Sequence, residues 1–197
     1  MAIRITEGTS INFQENAIAP DTGNTLTVES QPPTLHALQI GLSRQRRSLW
    51  CWAACARMVL SGFGEDVEQC EIVSFLLDPL DCCVPGTHGC NHSCEEPDIL
   101  NIYERFNING RLVRKDVKFN TIRNAIDNEG QPVEICVEWD EGGAHVILIY
   151  GWSKDGPIRF VKVHDPLYGS GEIRFSDLLR YRSQGNWTRT WLDFSGV

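Results

Sequence analysis

The sequence predicts an α+β fold, with helices in the first half and an antiparallel sheet in the second. Two observations carry this reading. Between about residues 49 and 106 the apolar residues recur at helical spacing, and from residue 131 onward they fall in short β-rich runs separated by turn residues. The chain has 197 residues, 42% of them hydrophobic, which suits one domain with a proper core, or one domain with a short extension.

Taken in order, residues 1–35 are rich in Thr, Asn, Glu, Gly and Pro, contain the β-like stretches AIRIT and TLTVE, and end at Pro32-Pro33. They are expected to form an N-terminal extension, a flexible leader or a propeptide, ahead of a folded domain over 36–197. CWAACARMVL is apolar almost all round, as a buried central helix is, and Gly62 and Gly64 end it. Asp66 is expected to cap a second helix, VEQCEIVSFLL, with Val67, Cys70, Val73, Ser74 and Leu77 at helical spacing. Pro97 and Asp98 open a third, DILNIYERF, with Ile99, Ile102, Tyr103 and Phe106 on one side. Asn120 is expected to cap a short helix, TIRNAIDNE, closed by Gly130. PVEICVEW, HVILIYGW, IRFVKVHDP, GEIRF and WTRTWLDF then read as strands of an antiparallel meander, with turns at DEGG and SKDGP.

The formal net charge is −8, from 26 acidic and 18 basic residues, which argues against a general nucleic-acid binder. No apolar run approaches the roughly 20 residues that span a bilayer, so no membrane span is expected. The first residues, MAIRITEGTSINFQENAIAP, lack a basic cluster followed by an apolar stretch, so no secretory signal is read. Eight cysteines point the other way. The compartment therefore stays open between the cytoplasm and export by a signal-less route.

The chemistry gathers around Cys51, at the start of CWAACARMVL. Free N–H groups and the dipole at a helix N-terminus favour a thiolate there, and the thiolate is the nucleophile of acyl transfer. Ala53, Ala54 and Ala56 behind it let other elements pack close. Gln45, six residues earlier, can donate beside the helix terminus, making an oxyanion hole with the Cys51 backbone N–H. His145 and Asp165 supply a base and its orienter. If their two strands form a hairpin centred on Asp155, paired residue numbers sum to 310, and 145 + 165 satisfies that sum. A one-residue bulge would break this register. Gly142 and Gly143 leave open backbone where a substrate chain can approach. Singly, Cys51 reads as one more buried cysteine, His145 as a structural histidine near a turn, and Asp165 as a strand-end cap. As a set they read as a nucleophile–base–orienter triad.

Gln45, five intervening residues and then Cys51-Trp52-Ala53-Ala54 resemble the active-site segment of papain-like cysteine peptidases. GGAHVILIYGW followed by VHDP resembles the histidine and aspartate segments of their compact bacterial members. The groups most similar in these motifs are the leader-removing peptidases of bacteriocin exporters and the cysteine-peptidase effectors of plant-pathogenic bacteria. The resemblance covers about residues 38–192. It implies a papain-like two-lobed fold, with a helical lobe, a sheet lobe and the active site between them, so that 36–197 is the catalytic domain. It implies a cysteine endopeptidase that hydrolyses a peptide or protein substrate through a thioester acyl-enzyme. The roles carried over are nucleophile for Cys51, general base and acid for His145, orienter for Asp165 and oxyanion donor for Gln45. No cofactor or catalytic metal is implied. The sequence departs from plant-type papains in having Asp at the third position, a Cys-to-His separation of 94 residues, and RQRRSLWC in place of their Gly and Cys pattern.

The same triad also suits an acyl transferase, whether transpeptidase, transglutaminase-like enzyme or isopeptidase. A non-catalytic binding module on the same scaffold is the reading from another class. An activating or inhibitory protein partner stays open. Cys55, one turn after Cys51, and Cys136, in mid-strand, read as packing residues. The segment LDCCVPGTHGCNHSCEEP gathers Cys82, Cys83, Cys90 and Cys94 with His88 and His92, and Cys70 lies upstream. Disulfides, free thiols and zinc are all open to it, and a bond between the adjacent Cys82 and Cys83 is disfavoured by ring strain. Similar bacterial peptidases carry a cysteine-rich loop at this place, which favours a disulfide staple. Trp50, Trp52, Trp139 and Trp152 are candidate cleft walls or simply core.

Overall fold

The computed structural model describes residues 5–7 and 34–196. Apart from Ile5–Glu7 and Thr34–Leu35, the expected extension over 1–35 lies outside the described residues, TLTVE included.

The helical part is built around α1 (Cys51–Gly62), whose Ala53, Ala54, Cys55 and Ala56 are fully buried. Small side chains on every face let α2 (Gln69–Leu76), α3 (Glu96–Arg105) and the sheet all pack against this one helix. The start of α2 differs from expectation. Its N-cap is Glu68, not Asp66, in a reciprocal capping box in which the Glu68 N–H donates to Glu71 Oε2 at 2.8 Å. Asp66 instead lies 3.7 Å from Arg57 on the surface. In α3, Pro97 sits in the first turn and Ile99, Ile102 and Tyr103 face the core, as the periodicity predicts. The fourth helix, α4 (Phe119–Asp127), starts two residues earlier than expected, with Lys118 rather than Asn120 at the N-cap and Phe119 buried in the core.

The sheet is antiparallel throughout and comprises β1 (Ile5–Glu7), β2 (Thr34–Leu38), β3 (Ile108–Val113), β4 (Val133–Trp139), β5 (Ala144–Asp155), β6 (Ile158–Asp165), β7 (Gly169–Arg174), β8 (Arg180–Tyr181) and β9 (Gly185–Gly196). It is not a simple meander. The order runs β1-β2-β5-β4-β9-β3, so the last strand inserts between β4 and β3, while β6 pairs with β5 and β7, and β8 pairs with β9. A short helix, α5 (Phe175–Leu178), takes the end of the expected GEIRF strand. At Gly151 a Cβ would stand 2.7 Å from the His36 carbonyl, so only glycine lets β2 lie against β5 there.

The hairpin carrying His145 and Asp165 corrects the sequence register. Asp155 pairs with Ile158 and Gly151 with Lys162, sums of 313, and beyond an irregularity between Ile149 and Gly151 the sum falls to 312. The turn is the tight Gly156-Pro157 pair rather than one centred on Asp155. Extending the 312 register sets Asp165 beside Ile147, so His145 lies two residues along the same face, a diagonal rather than a direct partner.

No helix among the described residues is long and apolar enough to cross a membrane.

Candidate active site

A cleft of about 660 Å³ opens between the helical part and the sheet, and Gln45, Cys51, Trp139, His145, Tyr168 and Arg189 are among the residues that line it. Cys51 is the first residue of α1 and 9% exposed. The first N–H of this helix to donate back onto the N-cap is that of Ala54, to the Trp50 carbonyl at 3.0 Å. The Cys51 N–H therefore precedes the intrahelical ladder.

Despite the shifted register, the imidazole reaches the carboxylate. His145 Nε2 donates to Asp165 Oδ1 at 2.8 Å, which leaves Nδ1 for a partner in the cleft that Cys51 also lines. Asp165 is almost wholly buried and fully partnered. Oδ1 also accepts the backbone N–H groups of Leu167 (2.8 Å) and Tyr168 (3.0 Å), and Oδ2 accepts the Tyr181 hydroxyl at 2.6 Å. Burial pushes the Asp165 pKa up, but His145, Tyr181 and the Tyr168 N–H together hold it below the ordinary carboxylate value. Burial pulls His145 down, yet the influence of Asp165 and Cys51 outweighs this and carries its pKa up to about 9. Two rings fix the imidazole plane: Trp139 stacks on it at 6.0 Å and 20°, and Tyr168 meets it edge-on at 6.4 Å. The Trp139 ring has room because position 185 is glycine, where a Cβ would stand 2.6 Å from it.

Gln45 reaches the cleft, but its Nε2 donates to the carbonyls of Arg47 (3.0 Å) and Ser48 (2.9 Å) within its own loop. Its Oε1 is buried without a partner.

The other free thiols are differently placed. Cys55 is fully buried, with its thiol directed to the Val146 carbonyl, and burial raises its pKa far above the ordinary value. Cys94 and Cys136 border the cleft. Burial raises Cys94 well above the ordinary thiol range and Cys136 to about 11. The cysteine-rich segment is stapled by the disulfides Cys70–Cys83 and Cys82–Cys90, with Cys94 left free.

Of the four candidate tryptophans, Trp52 and Trp139 line the cleft, joined by Trp191, whereas Trp50 is core and Trp152 stacks on His36 and bonds to Asp127. Sequence reasoning missed Tyr181, which sits in LLRYRSQ with no pattern to single it out. It also missed Arg189 of β9, whose Nε lies 2.6 Å from Glu96 of α3 and whose Nη1 lies 2.7 Å from Glu138 of β4. This ion group ties helix to sheet at the cleft, and only the sheet order brings its members together.

The sequence profile of one family, described as papain-like cysteine protease AvrRpt2, matches residues 34–180. No curated protein matches the sequence. Among solved structures, the fold is similar to the peptidase domain of Streptococcus ComA, a bi-functional ABC transporter involved in a quorum-sensing pathway. The identity there is 14% and the TM-score 0.56, covering 81% of this chain and 100% of that one. A double-glycine motif protease from an AMS/PCAT transporter, solved with its leader peptide, is similar at 15% identity and TM-score 0.49, covering 81% and 93%. The peptidase domain of Streptococcus mutans ComA follows at 13% and 0.44, covering 78% and 98%.

Proposed function

We propose, from the premise that the chain belongs to the papain-like cysteine protease AvrRpt2 family and is a cysteine protease, that it hydrolyses peptide bonds in a peptide or protein substrate through a thioester on Cys51. The observation that carries this reading is the 2.8 Å bond from His145 to Asp165, with Cys51 at a helix start lining the same cleft as the imidazole.

In this mechanism the Cys51 thiolate attacks the scissile carbonyl carbon. The carbonyl π pair moves to oxygen, where the Cys51 N–H stabilises it, joined by Gln45 once its amide releases the Ser48 carbonyl. His145 Nδ1–H protonates the departing amine as the C–N bond breaks and the thioester forms. The neutral imidazole then takes a proton from water, hydroxide adds to the thioester, and the thiolate leaves. Asp165 holds the Nε2–H tautomer and stabilises the imidazolium. Gly142 and Gly143, with open space around each, give an extended substrate room beside His145.

The test compares wild type with Cys51→Ala on a peptide library, read by mass spectrometry, alongside iodoacetamide labelling of the wild type and His145→Ala. Cleavage confined to the wild type, and fast labelling at Cys51 that His145→Ala abolishes, is the expected result. Slow, even labelling of several cysteines with no Cys51-dependent cleavage would sink the proposal.

A further inference from the structure

The disulfide-stapled segment enters no step of the proposed mechanism, yet it touches the residues on both sides of the nucleophile. Cys82–Cys90 closes the segment, and Cys70–Cys83 ties it to α2, where the Cys82 N–H also donates to Ser74 Oγ at 2.8 Å. Three consecutive residues then reach the segment around Cys51. The Cys90 carbonyl accepts the Trp50 indole N–H at 2.7 Å, and the His92 carbonyl accepts that of Trp52 at 3.0 Å. Between them Asn91 makes two bonds with its side chain. Its Oδ1 accepts the Leu49 N–H at 3.0 Å and its Nδ2 donates to Ser48 Oγ at 2.9 Å. Ser48 is also the residue whose carbonyl holds the Gln45 amide.

Resting on the proposed function, we infer that Asn91 is a positioning residue: through Ser48 and Leu49 it fixes the loop that leads into the Cys51 N–H and seats Gln45 beside it, from where the amide turns to the acyl oxygen. The Cys82–Cys90 disulfide holds Asn91 in place for that role. The thiol–imidazole pair does not depend on these bonds, because His145 and Asp165 stand on β5 and β6 and their orientation is set by Tyr181, Trp139 and the Leu167–Tyr168 turn. Loss of Asn91 therefore loosens oxyanion stabilisation while leaving the nucleophile as reactive as before. A residue of general structural importance would weaken both.

That separation is measurable. Alkylation by iodoacetamide displaces iodide at a saturated carbon and forms no oxyanion, whereas peptide cleavage requires one. Asn91 is at the surface, so Asn91→Ala is compatible with folding, and thermal unfolding checks this. The substitution is expected to lower kcat for a library-derived peptide by roughly ten- to a hundredfold. KM and the alkylation rate of Cys51 stay within about twofold. Asn91→Asp, whose carboxylate can accept both the Leu49 N–H and a rotated Ser48 hydroxyl, recovers most of the activity. Ser48→Ala, which deletes one partner alone, gives a smaller fall of the same kind. Unchanged kcat, a parallel fall in kcat and alkylation, or an Asp variant no better than Ala would overturn the inference and leave the proposed function standing. Alkylation of Cys51 that does not depend on His145 would overturn both.

Discussion

Tyr181 donates its hydroxyl to Asp165 Oδ2 at 2.6 Å, on the oxygen that His145 leaves free. The phenol thus completes the shell around a buried carboxylate and helps hold it ionised. A hydrogen bond to a charged, buried group is worth about 1.5–3 kcal/mol. Tyr181→Phe keeps the ring and removes only that donor. It is expected to lower kcat/KM by roughly tenfold, since each 1.4 kcal/mol is a factor of about ten. Steady-state kinetics at pH 7 check it, and unaltered kcat/KM would refute the role.

The pH dependence of the same pair follows from two opposite shifts. The His145 pKa rises from 6.5 to about 9, so its stabilising contribution is complete below about pH 6.5 and is lost as pH climbs through 9. The Asp165 pKa is lowered from 3.8, so its contribution is present above that value and is lost as pH falls below it. The alkaline limb of kcat/KM is therefore expected near pH 9. In Asp165→Asn the strongest raising influence on His145 is gone and burial pulls the imidazole down. The limb moves to lower pH by about one unit or more. A limb that stays in place would show that Asp165 does not control the imidazole.

Much of this site was legible from residue types and their spacing. Cys51 stands out because a helical apolar run begins there, and His145 and Asp165 share a face because the irregularity at Tyr150 brings the pairing sum from 313 to 312, an even step from the expected 310. The register itself was not legible. The Gly156-Pro157 turn and the irregularity at Tyr150 belong to the pairing of β5 with β6, which no local residue pattern marks. The strands β2 and β3 were missed because TLHAL and INGRLV are short and half-polar. They become strands only through their partners β5 and β9. Tyr181 and Asn91 act through side chains that no local period marks.

The staples stabilise the helical part by shortening the loops of the unfolded chain. Cys82–Cys90 spans 8 residues and Cys70–Cys83 spans 13. Loop-closure entropy puts the shorter at about 2.5 kcal/mol and the longer at about 3 kcal/mol. For a chain of this size each kcal/mol moves the melting temperature by about 2–4 °C. The pair Cys82→Ser with Cys90→Ser is therefore expected to lower Tm by about 5–10 °C under oxidising conditions. In excess reductant the variant and the wild type should melt close together. Equal Tm values without reductant would mean that the bond constrains nothing.

Glu134, the second residue of β4, is fully buried and contributes a further pH dependence. Its Oε2 accepts the Tyr103 hydroxyl at 2.6 Å, while Oε1 has no partner. Burial raises its pKa from 4.5 to about 8 against the opposing effect of Tyr103. Folding therefore keeps a proton that the unfolded chain releases above about pH 4.5. The resulting stabilisation is fully present below about pH 4.5 and is lost as pH rises through 8, a change on the order of 5 kcal/mol. Glu134→Gln fixes the neutral state at every pH. At pH 5 the amide offers Tyr103 the same acceptor but places two N–H donors at the unpartnered position where the protonated Glu134 has a single O–H, and the variant is about 1–2 kcal/mol less stable. Near pH 8 the wild type has lost its advantage and the variant has not, so the two stability curves cross between these values. Urea unfolding across that range checks the crossing, and parallel curves would mean that Glu134 is not the group that titrates.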